Sequence, residues 1–422
     1  MNAIHPADAR GPVVVIVDAY STARHLTPLF RARGHTCVHV QSTPTVPAVY
    51  APSFRPGDFA AHVVHTGDLA ATLAAVARHE PVALLAGIES GVELADTLAE
   101  SLGLRGNGTA LSPARRDKFR MTETVKAAGL PGAEQILAGD RDTLLDWYGR
   151  QTGRVVLKPV SSAGNDGVHF CDSAEDVLRA FGTLIGTDSA LGQHNSTVLA
   201  QEYLSGSEYY VNTVSLDGRH HVCDIWKTQH LDVNGVRDLL GGSQLMVRHG
   251  PEQDRLVPYT LGVLDALGIR NGPAHTELKL TPDGPRLIET GARVCGADLP
   301  LLTSAAIGAG HLERTVEAHV RPEEFAGLCG TDYEVARHAT VVNMIAPDSG
   351  TLRGYPKMAR LKALESFRCT LERATPGGPV HRTVNDFTYP MLVHLLHEVE
   401  GVVLRDYMTA RYLDGEGFYD IV

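Results

Sequence analysis

The 422-residue chain carries 38 basic and 49 acidic side chains, a formal charge of −11, and is 43% hydrophobic and 6% aromatic. Such a balance excludes a broad nucleic-acid-binding face, which needs clustered Lys and Arg to neutralise phosphates. Six cysteines, at 37, 171, 223, 295, 329 and 369, include no CxxC pair, so neither a zinc site nor a disulfide framework is indicated.

The length predicts two to four domains. The opening "MNAIHPADARGPVVVIVDAY" has only a short apolar run. A signal peptide needs a longer one and a membrane span about 20 residues. The expectation is a cytoplasmic protein of a reducing compartment, with no membrane and no nucleic-acid partner.

"GPVVVIVDAY" (11–20) reads as a buried parallel strand, "STARHLTPLFRARG" as a helix and "HTCVHV" as the next strand. "LAATLAAVARHE" then reads as a helix, "PVALLAGIES" as a strand and "GVELADTLAESLG" as a helix. Strands alternating with helices predict a wound parallel α/β sheet, with ligands at the strands' C-terminal ends. Glu89 sits at such an end, where it is either a functional carboxylate or an acid favoured by the following helix dipole.

Residues 103–117 are rich in Gly, Ser, Asn and Pro and read as a linker, followed by the helix "KFRMTETVKAAGLP" closed by Gly129 and Pro131. Strands follow at 154–160, 197–204, 208–218 and 219–229, the last two joined as a hairpin by "LDG", with the helix "AEDVLRAFGTLI" between the first two. "PYTLGVLDALGI" reads as a helix and "GPAHTELKLTPDGPRLIETG" as a hairpin turning at Pro-Asp-Gly. From about 331 a last module holds short strands ("HATVVNMIAP") and the helix "LRDYMTARYLDGEG".

Three constellations carry chemistry. In "RVVLKPVSSAGNDGVHF" a buried-type strand ends in Lys158, and the loop 161–167 offers small residues and free N–H groups. Such a loop folds over phosphates while the lysine reaches their oxygens, although it also reads as a plain mobile hairpin. No GxxxxGK[ST] occurs. In "LAQEYLSGSEYYV", Gln201, Glu202 and Glu208 suit a hinge that meets an adenine edge and a ribose, or else an edge strand with solvated acids. Glu277 and Glu289 stand equally far from the turn near Asp283, which makes them near cross-strand neighbours. Opposed carboxylates repel, so a cation is expected between them, and Mg²⁺ is the hard ion that takes carboxylates plus phosphate oxygens. GxSxG, HExxH and GxGxxG are absent. His220 and His221 read as surface residues, and His275 beside Glu277 is the one histidine marked for function.

In order, Lys118, Lys158 with its glycine loop, "QEYLSGSEY" and the two acidic strands ending in "ETGAR" resemble the ATP-grasp superfamily over about residues 80–330. "GPAHTELKLTPDGPRLIETGARVCG" and the tail "LRDYMTARYLDGEGFY" are similar to the L-amino-acid ligases of the bacilysin-synthetase type. The resemblance implies an α/β (α+β) fold: a wound N-terminal domain (1–115), a two-lobed ATP-grasp domain (116–330, mobile lobe about 125–203) and a C-terminal module (331–422). It implies that Lys118 and Lys158 contact ATP phosphates under a loop that includes Ser161, Ser162, Gly164 and Gly167. Gln201, Glu202 and Leu204 would hold adenine, Glu208 the ribose, and Glu277 and Glu289 two Mg²⁺ ions, with Mn²⁺ able to replace them. Arg293 would lie by the reacting carboxylate, Glu89 would hold an incoming ammonium, and His275 would stand beside the metal pair. Gly291 stands where many superfamily members have a metal-binding Asn, a departure shared with the amino-acid ligase branch.

The implied activity is a carboxylate–amine ligase that joins two amino acids, or an amino-acid-like acid to an amino acid or peptide. It would proceed through an acyl phosphate with release of ADP and phosphate, in a homodimer, for example in peptide natural-product synthesis. A carboxylase or purine-pathway ligase is disfavoured by "ETGAR" and the tail. A decayed nucleotide-binding regulatory subunit is disfavoured by the presence of every expected phosphate and metal residue.

Overall fold

The β-branched run near the start forms β1 (Val13–Val17), followed by α1 (Leu26–Ala32), β2 (Thr36–Gln41), β3 (Ala61–Val64), α2 (Leu69–Ala77), β4 (Pro81–Ala86) and α3 (Val92–Ser101). These positions come from a computed structural model, which describes residues 11–162, 164–189, 192–415 and 417–422. Residues 1–10, Ala163 of the expected loop and Glu416 of the expected last helix lie outside the described residues. The strands pair in parallel in the order β3-β2-β1-β4. Val14 to Val17 are fully buried, as a parallel sheet covered on both faces requires. The turn after β4 presses on the end of β1. A Cβ on Gly87 would lie 2.4 Å from the Asp18 carbonyl oxygen, and one on Gly91 2.8 Å from that of Val17. Glu89 is fixed between these two glycines.

Residues 103–117 are less loose than their composition predicts. Arg115 is buried, pairs with Asp96 at 2.8 Å and donates to the Leu267 carbonyl at 2.9 Å, tying the segment to α3 and to residue 267 far along the chain. Next comes α4 (Lys118–Ala127), capped by Asp117, whose side chain accepts from the Arg120 N–H. A lobe follows, with β5 (Gln135–Ala138), α5 (Arg141–Tyr148), β6 (Val155–Lys158), β7 (His169–Cys171), α6 (Ala174–Leu184) and β8 (Val198–Glu202). Its antiparallel sheet, β5-β8-β6-β7, packs on the two helices through Leu144, Trp147, Leu157, Val177 and Phe181.

The remainder is built largely on a third, larger sheet. Its elements begin with β9 (Ser207–Leu216), β10 (Arg219–Val233), β11 (Val236–Leu245), α7 (Gln253–Ala266), β12 (Gly272–Thr281) and β13 (Gly284–Gly291). They continue with α8 (Leu299–Ile307), α9 (His311–Val320), α10 (Pro322–Ala326), β14 (His338–Met344), β15 (Gly350–Gly354), α11 (Met358–Lys362) and β16 (Phe367–Glu372). The chain closes with β17 (Pro379–Val380), β18 (Met391–His397), α12 (Glu400–Leu413) and β19 (Asp420–Ile421). Eight strands run in the order β13-β12-β9-β10-β11-β14-β18-β16. β11 pairs with β14, so the sheet passes without a break into the segment after residue 331.

Two local expectations are corrected. Helix α7 starts at Gln253, five residues before Pro258, so the proline lies in its second turn, where it forfeits one internal hydrogen bond without ending the helix. His221 is no surface residue. It is 4% exposed, bonds the Leu328 carbonyl through Nδ1 at 2.9 Å and stacks edge-on to Phe325, while His220 bonds Ser215 at 2.7 Å.

Candidate active site

One cleft of about 1090 Å³, counting its open mouth, lies between the lobe and the large sheet. It is lined by Glu89, Lys118, Lys158, Ser162, Gly164, Gln201, Glu202, Leu204, Glu208, Glu277, Glu289 and Arg293. Ser161, Gly167 and His275 are not on its wall. Gly167 stands in the left-handed region at φ +69, where a Cβ would meet Pro159 and Leu184 at 2.9 Å, so it shapes the loop from behind.

Strand alternation explains the phosphate end. Val156 opposes Gln201 and Lys158 opposes Leu199, which puts Lys158 and Gln201 on one face of the lobe sheet. Lys158 Nζ donates to Gln201 Oε1 at 3.1 Å, and Gln201 Nε2 donates to Gln135 Oε1 at 3.2 Å. Burial, with Lys118 alongside, pushes the Lys158 ammonium down to about 8. Lys118, in the first turn of α4, donates to the Ser162 carbonyl at 2.8 Å and pairs with Glu289 Oε2 at 2.8 Å.

β12 and β13 hold Glu277 directly opposite Glu289, with a bulge between Glu277 and Leu278. Each carboxylate already faces a cation: Glu289 has Lys118, and Glu277 lies 3.1 Å from His275 Nε2. A metal is therefore not the sole remedy for their repulsion, which corrects the argument from sequence. Burial opposes a charge on His275, but the Cys295 sulfur and the Glu277 carboxylate overcome it and hold the ring protonated up to about 10. Its Nδ1 faces Asn212 Oδ1 at 2.7 Å, so both ring nitrogens meet acceptors. Two carboxylates that open onto a cleft beside two lysines fit a hard cation such as Mg²⁺. Among the described residues there is no group of three or more His, Cys, Asp or Glu that would form an all-protein metal cage.

Arg293 forks onto Glu89 through Nε and Nη2, both meeting Oε1. This pair ties the N-terminal sheet to β13. Burial would raise the Glu89 carboxyl, yet the guanidinium beside it holds it well below its ordinary value. Arg293 Nη1 also donates to the Val294 carbonyl at 3.0 Å. Three of a guanidinium's five N–H donors are thus used, which leaves 5 − 3 = 2 for a ligand.

Several cleft residues escaped the sequence reading. Phe170, Tyr203, Leu240 and Ile288 give an apolar patch beside Leu204, and Phe170 meets Tyr203 edge-on at 5.9 Å. At Glu208 a charged cluster forms, with Lys279 Nζ 3.8 Å and His230 Nε2 3.6 Å away, and Asp238 on both. Burial opposes the charge on His230, but Glu208 and Asp238 raise it to about 9. Lys279 was findable, since it shares a strand face with Glu277. Asp386, from the loop before β18, had no sequence signal at all.

An ATP-grasp domain model matches residues 152–299. Dapdiamide A synthase of Enterobacter agglomerans is 35% identical over 83% of this chain and 84% of its own length. The L-arginine-specific L-amino acid ligase of Bacillus subtilis is 22% identical over 48% of this chain and 49% of its own. A solved L-amino acid ligase from Bacillus licheniformis superposes with a TM-score of 0.75 at 19% identity, covering 98% and 99% of the two chains. The chain belongs to the ATP-grasp ligases, enzymes that use ATP and Mg²⁺ to form C–N bonds. Within that class its relatives are amide-bond-forming ligases that include an L-amino acid ligase.

Proposed function

We propose that this enzyme joins the carboxylate of one amino acid or amino-acid-like acid to the amine of another amino acid or peptide, through an acyl phosphate. One observation carries the reading: Lys118 and Lys158, the Glu277–Glu289 pair and the two spare donors of Arg293 open onto the same cleft. Lys118, Lys158 and the loop around Ser162 and Gly164 bind the triphosphate. The apolar patch at Phe170, Tyr203 and Leu204 takes adenine, with the Glu202–Leu204 backbone, and Glu208 takes the ribose. Glu277 and Glu289 would hold Mg²⁺, with Mn²⁺ able to serve, and the ion when bound neutralises the charge of the triphosphate.

The substrate carboxylate attacks the γ-phosphorus and ADP leaves. Arg293 orients that carboxylate with its spare N–H fork, then stabilises the oxyanion as the amine adds to the acyl carbon and phosphate departs. Glu89 acts here chiefly by fixing Arg293, although its second oxygen remains for an ammonium. His275 acts behind Glu277, as a charged group that holds this carboxylate in place. The division into 1–115, 116–330 and 331–422, a homodimer and a reducing cytoplasm complete the proposal. Six free cysteines suit that last point. Among the described residues no helix is long and apolar enough to cross a membrane.

The test is product analysis. ADP and phosphate should form together with an amide when both substrates are present, and Glu289→Gln should abolish it. AMP and pyrophosphate as products would refute the acyl-phosphate route, and full activity of Glu289→Gln would refute the metal role.

A further inference from the structure

The amine that attacks an acyl phosphate arrives as an ammonium at neutral pH and must lose a proton before its nitrogen has a lone pair to give. Most of the cleft's charged groups have a charged partner, and Asp166 and Glu202 on the same wall accept from the Ser162 hydroxyl and the Glu134 N–H. Glu89 is committed to Arg293, Glu289 to Lys118, and Glu277 to His275. Lys158 is held by Gln201 at the phosphate end, and His230 by Glu208 and Asp238 at the ribose end. His275 has an acceptor at both nitrogens and so presents no lone pair.

Asp386 is different. It reaches the cleft wall from the loop before β18. Its backbone is pinned on both sides: the N–H donates to the Gly164 carbonyl at 3.2 Å, and the carbonyl accepts from Arg373 Nη1 at 2.6 Å. Arg373 therefore spends that donor on the backbone. The carboxylate receives one neutral donor, Asn165 Nδ2 at 3.3 Å, and has beside it the Tyr389 hydroxyl, which donates to the Leu240 carbonyl at 2.6 Å. The charged groups that face it are Glu277 from β12 and Arg373 from the end of β16, with the Tyr210 phenol of β9 also within electrostatic reach.

We propose that Asp386 is the general base of the amide-forming step, taking the proton from the substrate ammonium before nitrogen attacks the acyl phosphate. The inference rests on the ligase reading above. In balance, R–NH₃⁺ and the Asp386 carboxylate give R–NH₂ and the carboxylic acid. The nitrogen lone pair then forms the C–N bond, the C–O bond to phosphate breaks with its electron pair, and the second nitrogen proton leaves with phosphate or to solvent. The environment agrees with this role. Burial first, then repulsion from Glu277, lift the carboxyl to about 6 against the opposing pull of Arg373, near the working pH that a base needs.

The test compares two nucleophiles in the whole enzyme with ATP, Mg²⁺ and a saturating acid substrate. One is an amino acid acceptor. The other is methoxyamine, whose nitrogen is already neutral near neutral pH and needs no proton removed before it attacks. Asp386→Asn should slow amide formation with the amino acid by about a hundredfold or more, the usual range for a lost general base, and with methoxyamine by less than tenfold. A parallel loss with both nucleophiles, or no loss with either, overturns the proposal. Should the variant not fold, the wild-type pH profile decides. Turnover with the amino acid should fall below about pH 6 with a one-proton slope, and turnover with methoxyamine should not. Identical limbs would overturn the assignment. If wild type yields neither ADP nor a methoxyamide, the ligase reading itself has failed.

Discussion

Raising the pH should strip nucleotide affinity from this enzyme through one lysine. Lys158 is 6% exposed and donates to Gln201, and burial with Lys118 beside it lowers its ammonium to about 8. A bound triphosphate would restore the proton, because a nearby anion favours the charged form. Nucleotide thus binds the protonated protein, so affinity is level below about pH 8 and falls above it. One pH unit past the midpoint, about nine-tenths of the free protein must take up a proton to bind. The dissociation constant then rises about tenfold, ~1.4 kcal/mol. Calorimetric titration with a non-hydrolysable ATP analogue at fixed Mg²⁺ and ionic strength reads this directly, and the protons taken up appear as a buffer-dependent heat. Lys158→Arg, which stays charged, should flatten the profile. An affinity that stays level in wild type through about pH 9, or an arginine variant with the same slope, would refute the reasoning.

Removing the partner of Arg293 tests the tie between the first sheet and β13. Glu89→Ala leaves a buried guanidinium unpaired and should cost about 3 kcal/mol in a denaturant melt. A loss below about 1 kcal/mol would mean that water reaches the pair, as at an exposed ion pair. Gly164 has φ +65, and a Cβ there would lie 2.9 Å from the Phe387 ring. Gly164→Ala should therefore raise KM for ATP several-fold in steady-state kinetics, with partial recovery when Phe387 is also cut to Leu. An unchanged KM would show that the contact does not shape the nucleotide site.

The parts of this protein legible in its sequence are those where local chemistry and global fold agree. β1 announces itself through five β-branched residues, the last four of them fully buried. The β12–β13 hairpin follows from its turn residues, and Glu277 does stand opposite Glu289, but only because the bulge after Glu277 shifts the register by one residue. The counter-cation of Glu289 was hidden because Lys118 reaches it from a helix far off in sequence, whereas His275 beside Glu277 was in plain view. β11 was missed because its Gly241–Gly242 pair reads as a turn. Yet a Cβ on Gly242 would lie 2.6 Å from the Val341 carbonyl, so the glycine is what lets β14 come close. Asp386 was invisible for a related reason, since only tertiary contacts with Gly164, Asn165 and Arg373 bring that loop to the cleft.

The uninterrupted sheet from β13 to β16 has a consequence for anyone wishing to redesign the enzyme. Cutting after residue 331 would expose β11 along its Gly242–Gln244 edge and strip away the loop that bears Asp386. Open strand edges invite pairing with other chains, so a truncated or chimeric form would tend to aggregate. Grafting a relative's C-terminal portion is therefore a poor route to new products. Substitutions confined to the cleft-facing loops leave the shared sheet intact and are the better starting material for altering what is joined to what.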